Sequence, residues 1–82
     1  MWTVYIVRCV DSSLYTGIAK NLEERIDLHN AGRGAKYTRS RRPVELVYSE
    51  CVDDRSTALR REIAIKQLER EDKKKLIESR LG

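Results

Sequence analysis

Residues 2–10 alternate two sets of side chains, Trp2, Val4, Ile6, Arg8 and Val10 against Thr3, Tyr5, Val7 and Cys9, and β-branched and aromatic types dominate both. This period of two predicts a strand. Asp11, Ser12 and Ser13 are turn formers, and Leu14 to Ile18 resumes the alternation, so the two runs form an antiparallel hairpin. With Val10 opposite Leu14, partner positions sum to an even number, and residues directly opposite share a face. Tyr5, Val7, Cys9, Tyr15 and Gly17 therefore share one face. Gly17, lacking a side chain, is expected to leave an opening beside the two tyrosines.

The period changes at Asn21. With Glu24 three residues on it forms a variant capping box, and Glu23 and Glu24 suit the positive end of a helix dipole. The helix is expected to run to about Ala31, with Gly32 as its stop. From Gly32 to Pro43 no period is visible, which predicts a long loop punctuated by Gly34, Ser40 and Pro43. Val44 to Cys51 returns to strand character. Asp53 to Ser56 then offers N-caps for a second helix, from about Thr57 to Lys66 or Leu68, and Leu76, Ile77 and Leu81 recur at helical spacing in a third, from about Arg70 to Arg80. The order β-β-α-β-α-α describes an α+β fold in which a small three-stranded antiparallel sheet is flanked by helices.

The chain has 82 residues, room for one domain with a modest core. Its hydrophobic content of 40% excludes a disordered polyelectrolyte. No apolar run reaches the roughly 18 residues of a membrane span, and the N-terminus lacks the pattern of a secretory signal. The expectation is a soluble, cytoplasmic protein without membrane association. Cys9 and Cys51 are too few and too far apart for a disulfide framework or a zinc site, and are expected to be reduced, half-buried packing residues. Lys and Arg outnumber Asp and Glu 17 to 13, a net charge of +4. The distribution is more telling than the total, because Arg33, Lys36, Arg39, Arg41 and Arg42 crowd the aperiodic loop with no acid among them. A basic loop on a mildly basic domain suits a phosphate-bearing partner, with a merely solvated loop as the alternative.

Three further polar side chains fall where apolar ones are expected. On the first helix, Arg25 and His29 are one turn apart and lie in the gap between Leu22 and Leu28, at the buried-facing edge beside Ile26. A charged Arg is costly there without a partner, and both residues suit the holding of anionic oxygens. On the second helix, Ala58, Leu59, Ile63 and Ile65 make the apolar arc, and Glu62 projects near its middle with Lys66 one turn below. Glu62 is then either half of an i, i+4 ion pair at the rim or a lone carboxylate of the kind that binds Mg²⁺, which keeps most of its waters.

Thr3-Val4-Tyr5, Tyr15-Thr16-Gly17 after a gap of nine residues, and then Arg25, His29 and Glu62 resemble the GIY-YIG nuclease domain over nearly the whole chain. The stretches Gly34-Ala35-Lys36-Tyr37-Thr38 and Ala58-Leu59-Arg60-Arg61-Glu62 resemble the short stand-alone bacterial members and the catalytic domain of nucleases that cut branched DNA. Thr3, Val4 and Thr16 depart from the motif letters at backbone and packing positions, and Glu69 to Gly82 holds no Asn where larger members carry one. The resemblance implies one nuclease domain over residues 1–82 and phosphodiester hydrolysis with Mg²⁺, or another divalent cation such as Mn²⁺. Glu62 would hold the metal and Arg25 the scissile phosphate. Tyr5, Tyr15 and His29 would activate or orient the attacking water, with either tyrosine as the base. Gly17, Arg33, Lys36, Arg39, Arg41 and Arg42 would face nucleic acid, expected to be branched or nicked DNA. Members usually take target choice from an appended domain or a protein partner, so little sequence specificity is expected. The rival readings are a non-catalytic nucleic-acid-binding module and a subunit active only with a partner.

Overall fold

Seven elements follow one another in the computed structural model, which describes residues 1–81, with side chains as far as residue 79. They are β1 (Trp2–Arg8), β2 (Leu14–Ala19), α1 (Leu22–Asn30), α2 (Lys36–Arg39), β3 (Glu45–Val52), α3 (Arg55–Lys66) and α4 (Arg70–Leu81). The strands form one antiparallel sheet in the order β2-β1-β3. The expected β-β-α-β-α-α order therefore holds for the long elements. The expected loop from Gly32 to Pro43 is corrected: it contains the four-residue helix α2, which buries Thr38 completely. A helix of one turn is too short to leave a period in the sequence.

Strand β1 is central and apolar on both faces. Val4 and Ile6 pack with Tyr48, with Ala58 and Ile65 of α3 and with Ile77 of α4. Tyr5, Val7 and Cys9 face the other way, with Ala19 and Val44, under Leu22 and Ile26 of α1. The hairpin register pairs Arg8 with Leu14 and Tyr5 with Gly17, two positions from the expected pairing of Val10 with Leu14. The turn is longer because Ser12 adopts a left-handed conformation (φ 70°) while the Asp11 carboxylate accepts the Ser13 N–H at 3.0 Å. Partner positions still sum to an even number, so the face shared by Tyr5, Tyr15 and Gly17 stands.

Side-chain caps set the helix starts: Asn21 Oδ1 accepts the Glu24 N–H and Asp54 Oδ1 accepts the Thr57 N–H. Asn30, at the end of α1, binds Val44, the residue before β3, by both ends of its amide, donating to Val44 O and accepting the Val44 N–H at 2.8 Å. On α3 the buried line is Ala58 and Ile65, and Ile63 is exposed. At about 100° per residue, Ile63 is turned some 160° from Ile65, so it cannot share the arc. Cys9 is buried, whereas Cys51 is exposed rather than half-buried. The side chain of Leu81, expected on the apolar face of the last helix, lies outside the described residues, as does Gly82. No helix among the described residues is long and apolar enough to cross a membrane.

Candidate active site

Tyr5 stands in the middle of the central strand, and its ring leans over Gly17 on β2. A methyl group at position 17 would stand 2.6 Å from Tyr5 Oη and 3.2 Å from the Tyr15 ring. The opening expected at Gly17 is thus filled by the Tyr5 phenol, and the glycine makes room for a protein group.

The phenol meets His29, the one buried residue of α1, whose Nε2 lies 2.7 Å from Tyr5 Oη. On its other side His29 Nδ1 is 2.8 Å from Thr38 Oγ1, which in turn donates to Ala35 O at 3.1 Å. The Thr38 hydroxyl has a single proton, and the Ala35 carbonyl can only accept. The hydroxyl therefore accepts from His29 Nδ1–H. A neutral imidazole carries one N–H, which leaves the Nε2 lone pair for Tyr5, so the phenol donates. Burial lowers the His29 pKa, with the Arg25 charge adding to the effect, which keeps the ring neutral. Burial likewise raises the Tyr5 pKa well above the usual phenol range; Tyr15 and Glu62 add to the rise and Arg25 opposes it. The resting state is a neutral phenol donating to a neutral imidazole.

The other expected residues surround this pair. Tyr15 places its ring edge-on to His29, centroids 5.4 Å apart. Half-buried Arg25 is close enough to act on both Tyr5 and His29 through its charge. Glu62 comes from α3, which packs on the opposite face of the sheet, yet it too is felt by the Tyr5 phenol. Its side chain is largely covered, and one carboxylate oxygen lies 3.5 Å from Lys66 Nζ.

Both sequence alternatives for Glu62 thus keep a basis. The ion pair is present, but Lys66 is half exposed, and an ammonium on a flexible stem yields readily to a stronger cation. Among the described residues no three His, Cys, Asp or Glu side chains converge. The donor set fits an ion that takes one carboxylate and retains its waters, as Mg²⁺ does.

The basic segment divides into two groups. Arg41 is engaged, donating to Asp11 Oδ2 at 3.1 Å and to Tyr37 O at 2.8 Å, and Arg42 donates to the Arg39 and Asn30 carbonyls. Arg33, Lys36 and Arg39 are exposed. Two residues of the site were not singled out from the sequence. Thr38 fixes the His29 ring, and Gly34 lies so close that a methyl group there would overlap His29 Nδ1 and stand 2.6 Å from Cγ. Both belong to the Gly34-Ala35-Lys36-Tyr37-Thr38 stretch, whose signal was its likeness to known motifs.

The sheet joins a tyrosine and a histidine on one face, and the charges of an arginine and of a carboxylate carried by α3 act on that tyrosine; the family that the chain matches is of nuclease type. Residues 1–76 match the GIY-YIG catalytic domain, and the chain belongs to that family. It is 58% identical over 77 residues to UPF0213 protein SH2523 of Staphylococcus haemolyticus, a match covering 94% of each chain. Two solution NMR structures are similar. That of UPF0213 protein BH0048 from Bacillus halodurans is 40% identical, with a TM-score of 0.61, covering 95% of this chain and 84% of that one. That of protein EF2693 from E. faecalis is 39% identical, with a TM-score of 0.64, covering 94% and 82%.

Proposed function

We propose that the protein is a divalent-metal-dependent endonuclease that hydrolyses phosphodiester bonds in DNA, branched or nicked, with little sequence preference. The observation that carries this reading is the chain of hydrogen bonds from Tyr5 through His29 and Thr38 to Ala35 O. It aims a fixed imidazole lone pair at a phenol. Tyr5 is then the base that the two-tyrosine motif left open. A phenol with a raised pKa does not ionise by itself at neutral pH, so it must lose its proton as it gains one. The Tyr5 oxygen takes a proton from the attacking water while the phenolic proton passes to His29 Nε2. Thr38 holds the resulting imidazolium in place by accepting from Nδ1–H throughout.

The water oxygen forms the new bond to phosphorus and the P–O bond to the departing strand breaks, its electron pair staying on the strand's oxygen, which takes a proton from solvent. Arg25, whose charge acts on both members of this pair, holds the non-bridging oxygens and offsets the charge they gain. Glu62 would hold the divalent ion, which when bound would supply Lewis-acid stabilisation of the charge on the phosphate oxygens. Arg33, Lys36 and Arg39 hold the backbone at positions that carry no base information.

The reading is tested by incubating the protein with nicked, flapped, four-way and linear DNA in Mg²⁺ or Mn²⁺. Cleavage of the discontinuous substrates, its loss on chelation, and loss of cleavage but not of DNA binding in Glu62→Gln are expected. No cleavage of any substrate, or full activity in Glu62→Gln, overturns it.

A further inference from the structure

An aromatic column runs outward from the buried His29. Tyr15 lies edge-on to His29, and Tyr37 stacks on Tyr15 with centroids 5.8 Å apart and planes 23° from parallel. The Arg41 guanidinium lies over the Tyr37 ring, 4.1 Å from its centroid. The outer end is held in place: Arg41 is tied to the Asp11 carboxylate and to Tyr37 O, so the guanidinium and the ring keep one relative position. Tyr37 nevertheless remains 40% exposed, the one aromatic ring among the exposed large hydrophobic side chains of the described residues. Exposed Lys36 and Arg39 flank it in sequence, with Arg33 just upstream.

A stacked pair of rings, Tyr15 and Tyr37, capped by a guanidinium whose side chain is itself 35% exposed, has among cations the chemistry that stacks a nucleobase and holds its phosphate. We infer that Tyr37 and Arg41 form a stacking platform for one unpaired nucleobase next to the bond that is cut. Fully paired DNA cannot use the platform, since its bases are already stacked on their neighbours. The platform thereby selects gaps, flaps and branch points over intact duplex without reading sequence, because every base has a π-face. This inference rests on the nuclease reading for the position of the cut, and deepens it by naming what the enzyme recognises.

The test is equilibrium binding in EDTA, where no strand is cut, to a duplex with a short single-stranded gap in which each gap nucleotide in turn is made abasic. Removal of one particular base should weaken binding by about fivefold to about a hundredfold. In Tyr37→Ala that difference should vanish, and in Tyr37→Phe it should persist. The exposure of Tyr37 makes either variant compatible with folding, which circular dichroism checks. A 2-aminopurine at the sensitive position should be quenched by the wild type and by Tyr37→Phe, and not by Tyr37→Ala. Equal binding of all abasic substrates, or discrimination that survives Tyr37→Ala, overturns the platform. If gapped DNA is still cut in Mg²⁺ under either result, the nuclease reading stands without it. Intact base discrimination with no cleavage in Mg²⁺ or Mn²⁺ overturns the nuclease reading instead.

Discussion

Thr38 is a small side chain with a large consequence, because its one hydroxyl proton decides which nitrogen of His29 is free. Thr38→Val keeps the shape but leaves His29 Nδ1–H buried without an acceptor. We expect a loss of about 1–3 kcal/mol in stability and a slower cut, with Thr38→Ser restoring both; urea denaturation and single-turnover cleavage check this. Titration gives a second expectation. The folded-state pKa of His29 is depressed, so below about pH 6.5 the unfolded chain takes up a proton that the folded chain does not. Stability should therefore fall as pH drops through and below about 6.5, and His29→Gln should flatten that slope in denaturation curves recorded between pH 5 and 8. Gly17 and Gly34 act through the absence of a side chain. Gly17→Ala would place a methyl 2.6 Å from Tyr5 Oη, which displaces the phenol from His29 and should abolish cleavage while the sheet still forms.

At the scale of elements, the sheet and α1 bring the site together, and their legibility in the sequence was uneven for physical reasons. Strand alternation depends only on parity, so Tyr5, Tyr15 and Gly17 fell on one face although the turn displaced the register by two. The 3.6-residue period placed His29 at the edge of the buried stripe, and burial is deeper than that, at 1% exposure. Thr38 and Gly34 were out of reach because α2 is a single turn, fixed by its contact with His29 rather than by any pattern of its own. The same limit hid the division of labour among the cations. Arg41 and Arg42 brace the segment after α2, so removing either should lower stability as well as binding. Changing Arg33, Lys36 and Arg39 together to Ala should leave the melting temperature unaltered. It should also weaken binding across unrelated sequences and flatten the plot of log affinity against log salt by up to about 3, with each phosphate contact worth about 0.9. An unchanged slope would remove this surface from the interface.

On the scale of the whole molecule, two charges reach the site from opposite sides of the sheet. Arg25 arrives on α1 above one face and Glu62 on α3 from the other, and Tyr5, on the strand between, responds to both. In the proposed reaction this frame would take a substrate phosphate, with a cation to hold it and a carboxylate to bring a second cation by way of its waters. Between them lies a phenol whose proton has one place to go. In the proposed reaction Tyr5, through His29, takes the proton of the attacking water. This transfer is tested most directly by single-turnover cleavage of one nicked or flapped substrate by the wild type, Tyr5→Phe and Tyr15→Phe at pH 7.5 in Mg²⁺. Tyr5→Phe removes only the hydroxyl and should slow the cut by about 100-fold to 10,000-fold with DNA binding unchanged, while Tyr15→Phe keeps its ring against His29 and should cut within a few-fold of the wild type. A Tyr5→Phe protein that cuts at the wild-type rate, above all beside a slow Tyr15→Phe, would contradict the account and move the proton transfer to the other ring.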